Sequence, residues 1–444
     1  MIVIGTGSAA QTVAYGCRSA GRTVAVIDSR PFGGTCQLRG CDPKKVLVGV
    51  AELVDWSRRM QGKGVSSPGL ELSWTDMMSF KASFTESVPA SVEEGLKKVG
   101  ILSFHGRAHF VDRSTIEVGD DTLSAGKVVI AAGARRATLG IKGEEHLTSS
   151  TDFLELHELP RRVVFVGGGY IAFEFAHVLV RAGAQVQILH RGSVPLPRFD
   201  PELVTPLVEI TRALGVEVEL NTNVDAVERH GDEFVVRVTS EGQQRSVHGD
   251  LVVHAAGRVP EIDDLALDRA GVDFDQDGVT VNNYLQSVSN PDVFAAGDAV
   301  NSGGFRLTPV AGMQGGVVVR NILEGNHATP DYNGIPSVAF TTPPLARVGL
   351  DETGALEQGL RFRVNRADTS GWYSSRRVAL EHTGYKVLVE EDTDRVLGAH
   401  LLGGHSEETI NLFGLAIRSG LRASDLKGMV YAYPTAASDI GYMV

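Results

Sequence analysis

The sequence has few cysteines and no long apolar segment. Only three cysteines, Cys17, Cys36 and Cys41, occur among 444 residues. This number is too low for a secreted disulfide scaffold and suits a reducing compartment, where a disulfide usually serves catalysis. No apolar run approaches the roughly 18–20 residues that cross a bilayer, and the chain opens on a strand pattern without a charged targeting segment. We therefore predict a cytoplasmic protein with no membrane partner.

Positive charge is also scarce. The chain has 42 Lys and Arg against 54 Asp and Glu, a formal net charge of −12, and no dense block of basic residues. Such a chain has no basic field to attract polyphosphate, so we predict that nucleic acid is not a partner. A hydrophobic content of 43% in 444 residues predicts two or three globular domains with full cores.

Glycine, by contrast, is abundant, and two segments place it in the same way. Residues 1–28 and 163–191 each show an apolar strand, a glycine turn, a helix and a second strand, with a polar residue 21 positions after the second glycine. Small residues there permit a tight bend and close approach of backbone N–H groups to a pyrophosphate. We predict two dinucleotide-binding βαβ units. Their predicted cofactor-binding turns are Gly5, Gly7, Ser8, Ala9 and Ala10, and Gly167, Gly169, Tyr170 and Ile171.

The residues at the two strand ends differ in chemistry. Asp28 can accept hydrogen bonds from ribose hydroxyls, so the first unit suits an unphosphorylated adenosine such as that of FAD. His190 and Arg191 instead offer a cation for a 2′-phosphate. The second unit therefore favours NADPH, with NADH as the alternative if Arg191 is only a solvated loop charge.

Further strands lead into small or acidic residues that we assign to the cofactor sites. An Asp at a strand end beside a cofactor is well placed for a sugar-alcohol hydroxyl, and a helix is predicted after it, to about residue 323. From about residue 335 onward the pattern changes to alternating strands, such as residues 385–390 and 396–402, and then a helix over about residues 406–419, without a phosphate turn. This pattern is typical of an α+β domain. The additional residues are Gly34, Thr35, Ala132, Gly133, Gly257, Gly297, Asp298, Leu307 and Thr308.

Cys36 and Cys41 are separated by four residues and followed by a helical pattern over residues 46–60. If both lie near the start of that helix, its positive end favours the thiolate that disulfide exchange requires. The alternative is a pair of buried apolar cysteines, as we predict for Cys17 within the first helix. Without a second pair or a nearby histidine, a closed zinc site is not expected, although a soft ion can bind the reduced pair transiently. We predict no resident metal.

Taken in order along the chain, these motifs resemble the flavoprotein disulfide reductase family, which includes glutathione reductase, dihydrolipoamide dehydrogenase and mercuric reductase. The resemblance covers essentially the whole chain. It rests on the opening turn, residues 33–45 with both cysteines, the turn that contains Tyr170, residues 296–298, and residues 340–344 with 348–350.

The resemblance implies roles for individual residues. Cys36 matches the interchange thiol that attacks substrate, and Cys41 the charge-transfer thiol beside the flavin. Glu174 matches a carboxylate that pairs with a lysine near flavin N5, here Lys44 or Lys45. The resemblance further implies that Tyr170 gates the nicotinamide pocket and Asp298 binds the flavin, in a homodimer whose last residues complete the partner's site.

The chain departs from the family near its end. Family members that reduce disulfides carry a His–Glu dyad where this chain has Tyr433 and Ser438, with Asp439 one place further. A phenol with a pKa near ~10 can donate a proton but is a poor base at neutral pH. Tyr433 therefore either orients or protonates a group at the dithiol, or fills space at the subunit interface. Tyr15 stands where glutathione enzymes have an arginine, and the cysteine pair that mercuric reductases add near the C-terminus is missing.

We therefore predict an α/β fold with two Rossmann-like βαβ domains, the second inserted in the first, plus a C-terminal α+β dimerisation domain. The boundaries are 1–145 and 263–333 for FAD, 146–262 for NAD(P)H and 334–444 for dimerisation. The predicted function is NAD(P)H-dependent, FAD-mediated electron transfer to the Cys36–Cys41 disulfide and on to a small acceptor. That acceptor is a low-molecular-weight disulfide other than glutathione. The alternatives are a soft metal, metalloid or quinone, or a slow redox sensor.

Overall fold

The computed structural model describes residues 1–444. The chain divides into two compact units. The first unit consists of Met1–Lys44, Ser79–Ala137 and Gly257–Tyr332. The second unit consists of Lys45–Met78, Thr138–Ala256 and Asn333–Val444.

The first unit is built on a five-stranded parallel sheet. Its strands are short, and the central ones are apolar and buried on both faces, as expected for a parallel sheet covered on both sides. In spatial order the strands are Val293–Ala295, Val128–Ile130, Ile2–Ile4, Ala25–Asp28 and Leu102–His105. Smaller sheets complete the unit: Ala108–Phe110 with Thr115–Val118 and Asp121–Ser124; Ala134–Arg136 with Arg258–Pro260; and Phe274–Asp275 with Gly278–Thr280 and Val300–Asn301.

The second unit contains a four-stranded parallel sheet and two antiparallel ones. The parallel strands, in spatial order, are Glu217–Glu219, Gln185–Leu189, Arg162–Val166 and Leu251–His254. An antiparallel sheet follows the chain through Thr222–His230, Glu233–Ser240 and Gln243–Gly249. The C-terminal sheet has the order Ser337–Ala339, Leu345–Gly349, Val396–Leu402, Gly384–Glu390 and Phe362–Asp368.

Helices connect and cover these sheets. The helix Ser8–Ser19 buries a stripe of small apolar residues that includes Cys17, which is fully buried. None of the helices combines the length and the apolar character needed to cross a membrane. The other α-helices are Gly34–Arg39, Cys41–Arg59, Trp74–Thr85, Val88–Lys98, Ser150–Phe153, Tyr170–Arg181, Pro201–Ala213, Leu267–Ala270, Thr308–Glu324, Glu352–Glu357, Tyr373–Arg376, Ser406–Ser419, Ala423–Gly428 and Ile440–Met443. Single 3₁₀ turns lie at Glu144–His146, Gly297–Ala299 and Ala436–Asp439.

The predicted fold class is confirmed. Both βαβ units form parallel sheets, and the second lies in sequence between two strands of the first sheet, Val128–Ile130 and Val293–Ala295. The helix after the cysteines begins earlier than predicted: residues 41–45 are already helical, and the helix begins at Cys41. The four-segment division at residues 145, 262 and 333 stays a prediction.

Candidate functional site

The first glycine turn joins the strand Ile2–Ile4 to the helix Ser8–Ser19. Gly7 precedes the helix without any side-chain cap, so the first N–H groups of the helix are available to an anion. Gly34 crosses this turn with a φ of +74°, and a Cβ on it would lie 2.4 Å from the Cα of Gly7. Only glycine permits this contact of backbone on backbone. Such a cradle, with no side chain in it, fits the pyrophosphate of FAD.

The carboxylate of Asp28 is held in place at the end of the strand Ala25–Asp28. The hydroxyl of Thr6 donates to its Oδ2 at 2.6 Å, and the N–H of Arg30 donates to its Oδ1 at 3.0 Å. A carboxylate oxygen can accept more than one hydrogen bond, so Asp28 keeps acceptor capacity for a ribose diol. The residues present therefore fit the adenosine end of FAD as well.

The residues assigned to the first cofactor site come from distant parts of the sequence but belong to one unit. The structure places all of them in the first unit, which also contains Gly257. They are Gly5, Gly7, Ser8, Ala9, Ala10, Asp28, Gly34, Thr35, Ala132, Gly133, Gly297, Asp298, Leu307 and Thr308.

The two cysteines lie on separate helices. Cys36 belongs to the short helix Gly34–Arg39 and is half-buried. Cys41 is the first residue of the helix Cys41–Arg59 and is exposed as a whole, although its sulfur is partly desolvated. Both are free thiols and hydrogen-bond to each other. The sulfur of Cys41 also lies 3.6 Å from the hydroxyl of Thr308. The structure thus brings together a dithiol and a hydroxyl from a segment 267 residues away.

The two thiols differ in acidity. The hydrogen bond from Cys36 lowers the pKa of Cys41 to about 6, against the effect of burial, with help from the Thr308 hydroxyl and the Lys44 charge. The same hydrogen bond, with burial, raises the pKa of Cys36. At neutral pH the thiolate therefore resides on Cys41 and the proton on Cys36.

The two lysines after the cysteines have different surroundings. Lys44 is buried, and its charge acts on Cys41. Lys45 forms an ion pair with Glu52 at 3.0 Å and lies 4.8 Å from the ring centre of Phe340. The geometry therefore favours Lys44 as the lysine that acts at the dithiol, a choice that the sequence left open.

Two charged residues of the cysteine segment were missed at the level of sequence, and one of them, Asp42, contacts the dithiol. The Oδ1 of Asp42 lies 3.7 Å from the sulfur of Cys36, and the Nε of Arg39 is buried without a hydrogen-bond partner. Burial lowers the pKa of Arg39. A signal was available, because both residues lie within the cysteine segment, but the sequence does not show which way their side chains turn.

The second glycine turn, in the second unit, joins the strand Arg162–Val166 to the helix Tyr170–Arg181. Gly169 precedes the helix without a side-chain cap, which again leaves N–H groups for an anion. The imidazole of His190 packs against Gly168, and its Nε2 lies 3.0 Å from the carbonyl oxygen of Val194.

Of the two residues predicted to supply positive charge at the second site, His190 and Arg191, only Arg191 does so. Burial lowers the pKa of His190, so the imidazole is neutral at physiological pH. Arg191 is exposed and remains the permanent charge at this strand end.

Glu174 and Tyr170 lie on the same helix in different surroundings. Glu174 is buried, and its Oε1 accepts a hydrogen bond from the N–H of Phe340 at 2.8 Å. Tyr170 is half exposed. The assignments of Glu174 to a flavin-side ion pair and of Tyr170 to a gate stay predictions.

Tyr433 is 79% exposed and lines a cavity of about 330 Å³ in the second unit. Aromatic side chains form much of its wall, together with Arg377 and Asp439. Burial raises the pKa of Asp439, to which the hydroxyl of Ser374 donates. Ser438 is engaged locally, because its hydroxyl donates to the carbonyl oxygen of Thr435 at 2.6 Å. No imidazole or glutamate lines this cavity.

Comparison with known proteins places these features in a family. A family model described as pyridine nucleotide-disulphide oxidoreductase matches residues 1–315, and the model of its dimerisation domain matches residues 335–444. The glutathione reductase of Burkholderia cepacia is 31% identical over 99% of this chain and 97% of that protein. The dihydrolipoyl dehydrogenase of Bacillus subtilis is 28% identical over 98% of this chain and 93% of that protein.

Solved structures agree with this assignment. The HOCl-induced flavoprotein disulfide reductase RclA from Escherichia coli, and its Cu(II) complex, each superpose with a TM-score of 0.87 at 28% identity. Both comparisons cover 100% of this chain and 98% of the other. The resemblance predicted from the sequence and the oxidoreductase class are confirmed. The chain belongs to the pyridine nucleotide-disulphide oxidoreductase family of flavoprotein disulfide reductases.

Proposed function

We propose that this chain uses NADPH and FAD to reduce the Cys36–Cys41 disulfide, and that the resulting dithiol reduces a low-molecular-weight disulfide other than glutathione. The main support for this proposal is the different acidity of the two thiols. A half-buried thiol on Cys36 is hydrogen-bonded to a thiolate on Cys41. Disulfide exchange needs one sulfur that attacks the substrate and a second that resolves the mixed disulfide. The contacts on Cys41 hold that second sulfur deprotonated.

The cofactors follow from the two glycine turns. When bound, FAD supplies the two-electron chemistry between nicotinamide and disulfide, as it does in the family's members. The cradle of Gly7 and Gly34 and the carboxylate of Asp28 would hold it. Arg191 supports NADPH over NADH, because an exposed guanidinium at the strand end suits a 2′-phosphate.

The substrate differs from glutathione because the recognition expected for glutathione is missing. Tyr15 stands at the position of the family's arginine, and its hydroxyl lies against the backbone of the helix Val88–Lys98, where a Cβ on Gly95 would approach it to 2.8 Å. A phenol in that place cannot form an ion pair with a glutathione carboxylate. We assign Tyr433 as the proton donor to the leaving thiol, because its hydroxyl is the exposed acid at the position of the missing imidazole.

The proposal also includes the oligomeric state and the cellular location of the enzyme. We propose a homodimer, supported by the match of residues 335–444 to the family's dimerisation domain. We also propose a cytoplasmic location, supported by the three cysteines of the chain, two of which serve the redox centre.

A soft metal ion is the second candidate acceptor. This candidate is supported by a structural relative: RclA, which superposes with a TM-score of 0.87, has been solved as a Cu(II) complex. Thiolate sulfur is a preferred ligand of soft ions, and reduction of such an ion does not need the general base that this chain lacks. A single screen separates the two candidates.

The screen measures steady-state NADPH oxidation by the FAD-loaded enzyme with cystine-type disulfides, glutathione disulfide, Cu(II), mercuric ion, selenite and quinones. We expect turnover with a cystine-type disulfide and little with glutathione disulfide. Cys36→Ser should abolish that turnover yet leave reduction of the flavin by NADPH intact. Cys17→Ala is the matched control, because Cys17 is fully buried in the helix Ser8–Ser19. Turnover only with metal ions favours the second candidate, and no turnover with any acceptor contradicts both.

A further inference from the structure

Asp42 makes its one hydrogen bond with the redox pair. The residue lies in the first turn of the helix Cys41–Arg59, exposed to solvent, and forms no ion pair. The sulfur of Cys36 donates to its Oδ1 at 3.7 Å, within the range of a hydrogen bond from sulfur. A carboxylate at a helix start commonly stabilises the helix dipole, but that effect does not require contact with a thiol.

The charges around the two sulfurs act unequally. Cys41 faces Thr308 and the positive charge of Lys44, both of which favour its thiolate. Cys36 faces the thiolate of Cys41 and the carboxylate of Asp42, both of which oppose a second negative charge, while the Thr308 hydroxyl acts against them. The carboxylate of Asp42 acts on both sulfurs through space, but it contacts only Cys36.

We propose that Asp42 is a positioning residue that keeps the proton of the reduced pair on Cys36 and thereby confines the thiolate to Cys41. The proton is held between two acceptors, the sulfur of Cys41 and the Oδ1 of Asp42. Because Asp42 is exposed, it connects this proton to solvent and to an incoming substrate.

The proton and electron balance of exchange follows from this arrangement. The sulfur of Cys36 bonds to one substrate sulfur as the substrate S–S bond breaks, and the electron pair of that bond goes to the leaving sulfur. The proton of Cys36 passes to the carboxylate of Asp42 as the sulfur attacks and is then released to solvent, whereas the leaving sulfur takes its proton from Tyr433, which regains one from solvent. The thiolate of Cys41 then attacks Cys36, which forms the Cys36–Cys41 disulfide and releases the second substrate thiolate, which takes a proton from solvent.

Alkylation of Cys36 by iodoacetamide as a function of pH tests the inference. The FAD-loaded enzyme is reduced under argon, alkylated and digested with trypsin, which cuts after Arg39 and so places Cys36 and Cys41 in different peptides. A carboxylate about 4 Å from a sulfur, in a solvent-exposed setting, shifts titration by about one pH unit. We expect Asp42→Asn to lower the midpoint for Cys36 by about one pH unit and to raise its alkylation rate at pH 7 about tenfold.

Two further variants serve as controls. Asp42→Glu keeps the charge and should keep the wild-type profile. Asp76→Asn removes the acidic residue from the first turn of another helix, Trp74–Thr85, and should leave Cys36 unchanged. A wild-type midpoint in Asp42→Asn, or the Asn profile in Asp42→Glu, overturns the proposal. The flavin absorbance of each variant confirms that it folds.

The inference rests on the proposed function only in naming a disulfide as the acceptor. Alkylation needs no acceptor, so failure of the proposed substrate class in the screen leaves the alkylation result standing. Conversely, an unchanged alkylation profile refutes the role of Asp42 whatever the acceptor is.

Discussion

Asp55→Asn should strongly destabilise the second unit. The carboxylate of Asp55 accepts from the guanidinium of Arg181 at 2.6 Å and from that of Arg59 at 2.7 Å. The side chain of Arg181 is only 1% exposed and that of Asp55 11%. Burial lowers the pKa of Arg181, and the charge of Asp55 counteracts this effect. An amide of the same size leaves a buried guanidinium uncompensated, which costs about 3–5 kcal/mol.

Tryptophan fluorescence during urea unfolding is the appropriate measurement. All three tryptophans, Trp56, Trp74 and Trp372, belong to the second unit, so the signal reports on the unit that contains the pair. Because the chain has more than one compact unit, the comparison uses this local transition and not a global two-state fit. Glu209→Gln is the control. It removes a surface partner of Arg212, whose pair is 59% and 43% exposed, and should change stability by less than about 1 kcal/mol.

A double variant tests whether the charges of Arg181 and Asp55 are energetically coupled. Replacing Arg181 by Met and Asp55 by Leu removes both buried charges, and we expect the loss to be about 1 kcal/mol or less. Arg59 then loses its carboxylate, but its side chain is 24% exposed and it still donates to the carbonyl oxygen of Val378. The single variants Asp55→Leu and Arg181→Met complete the cycle. If the double variant loses as much stability as these two single variants together, the two charges are not coupled and the reasoning fails.

Three further predictions follow from single groups. Thr308→Val removes the hydroxyl near Cys41 and should raise the pKa of that thiol by about one unit; an unchanged midpoint of the ultraviolet thiolate absorbance would contradict it. Burial, with the charge of Arg181, lowers the pKa of His177 well below its usual value, so the unfolded chain takes up a proton first on acidification. The contribution of His177 to the free energy of unfolding is therefore full above about pH 6.5 and should fall by about 1.4 kcal/mol per pH unit below it, and His177→Gln should reduce the measured slope by that amount. Arg191→Glu should lower the ratio of NADPH to NADH efficiency by about tenfold or more, and an unchanged ratio refutes the 2′-phosphate argument.

Most elements of the fold could be predicted from local patterns in the sequence. The strand predicted over residues 396–402 and the helix predicted over residues 406–419 are present as Val396–Leu402 and Ser406–Ser419. Their periods of apolar residues are complete within each segment, so no distant contact is needed to recognise them. The two glycine turns were recognisable for the same reason, because strand, turn and helix are adjacent in the chain.

Local patterns were less informative where a helix begins. The helix predicted from about residue 46 begins at Cys41, within a segment whose glycine and proline residues obscure the helical period. The choice between Lys44 and Lys45 was also open, because neighbouring residues on a helix point about 100° apart and packing decides which one is buried. The structure buries Lys44 and pairs Lys45 with Glu52.

The sequence by itself determined the two dinucleotide-binding units, the family resemblance and the presence of a dithiol at Cys36 and Cys41. Only the tertiary structure decided how that dithiol is charged. The hydroxyl of Thr308 reaches Cys41 from 267 residues away, and Asp42 turns toward Cys36 and not toward its own neighbour in the chain. Acidity depends on which groups lie within a few ångströms of a sulfur, and chain folding sets those distances, whereas spacing along the sequence does not.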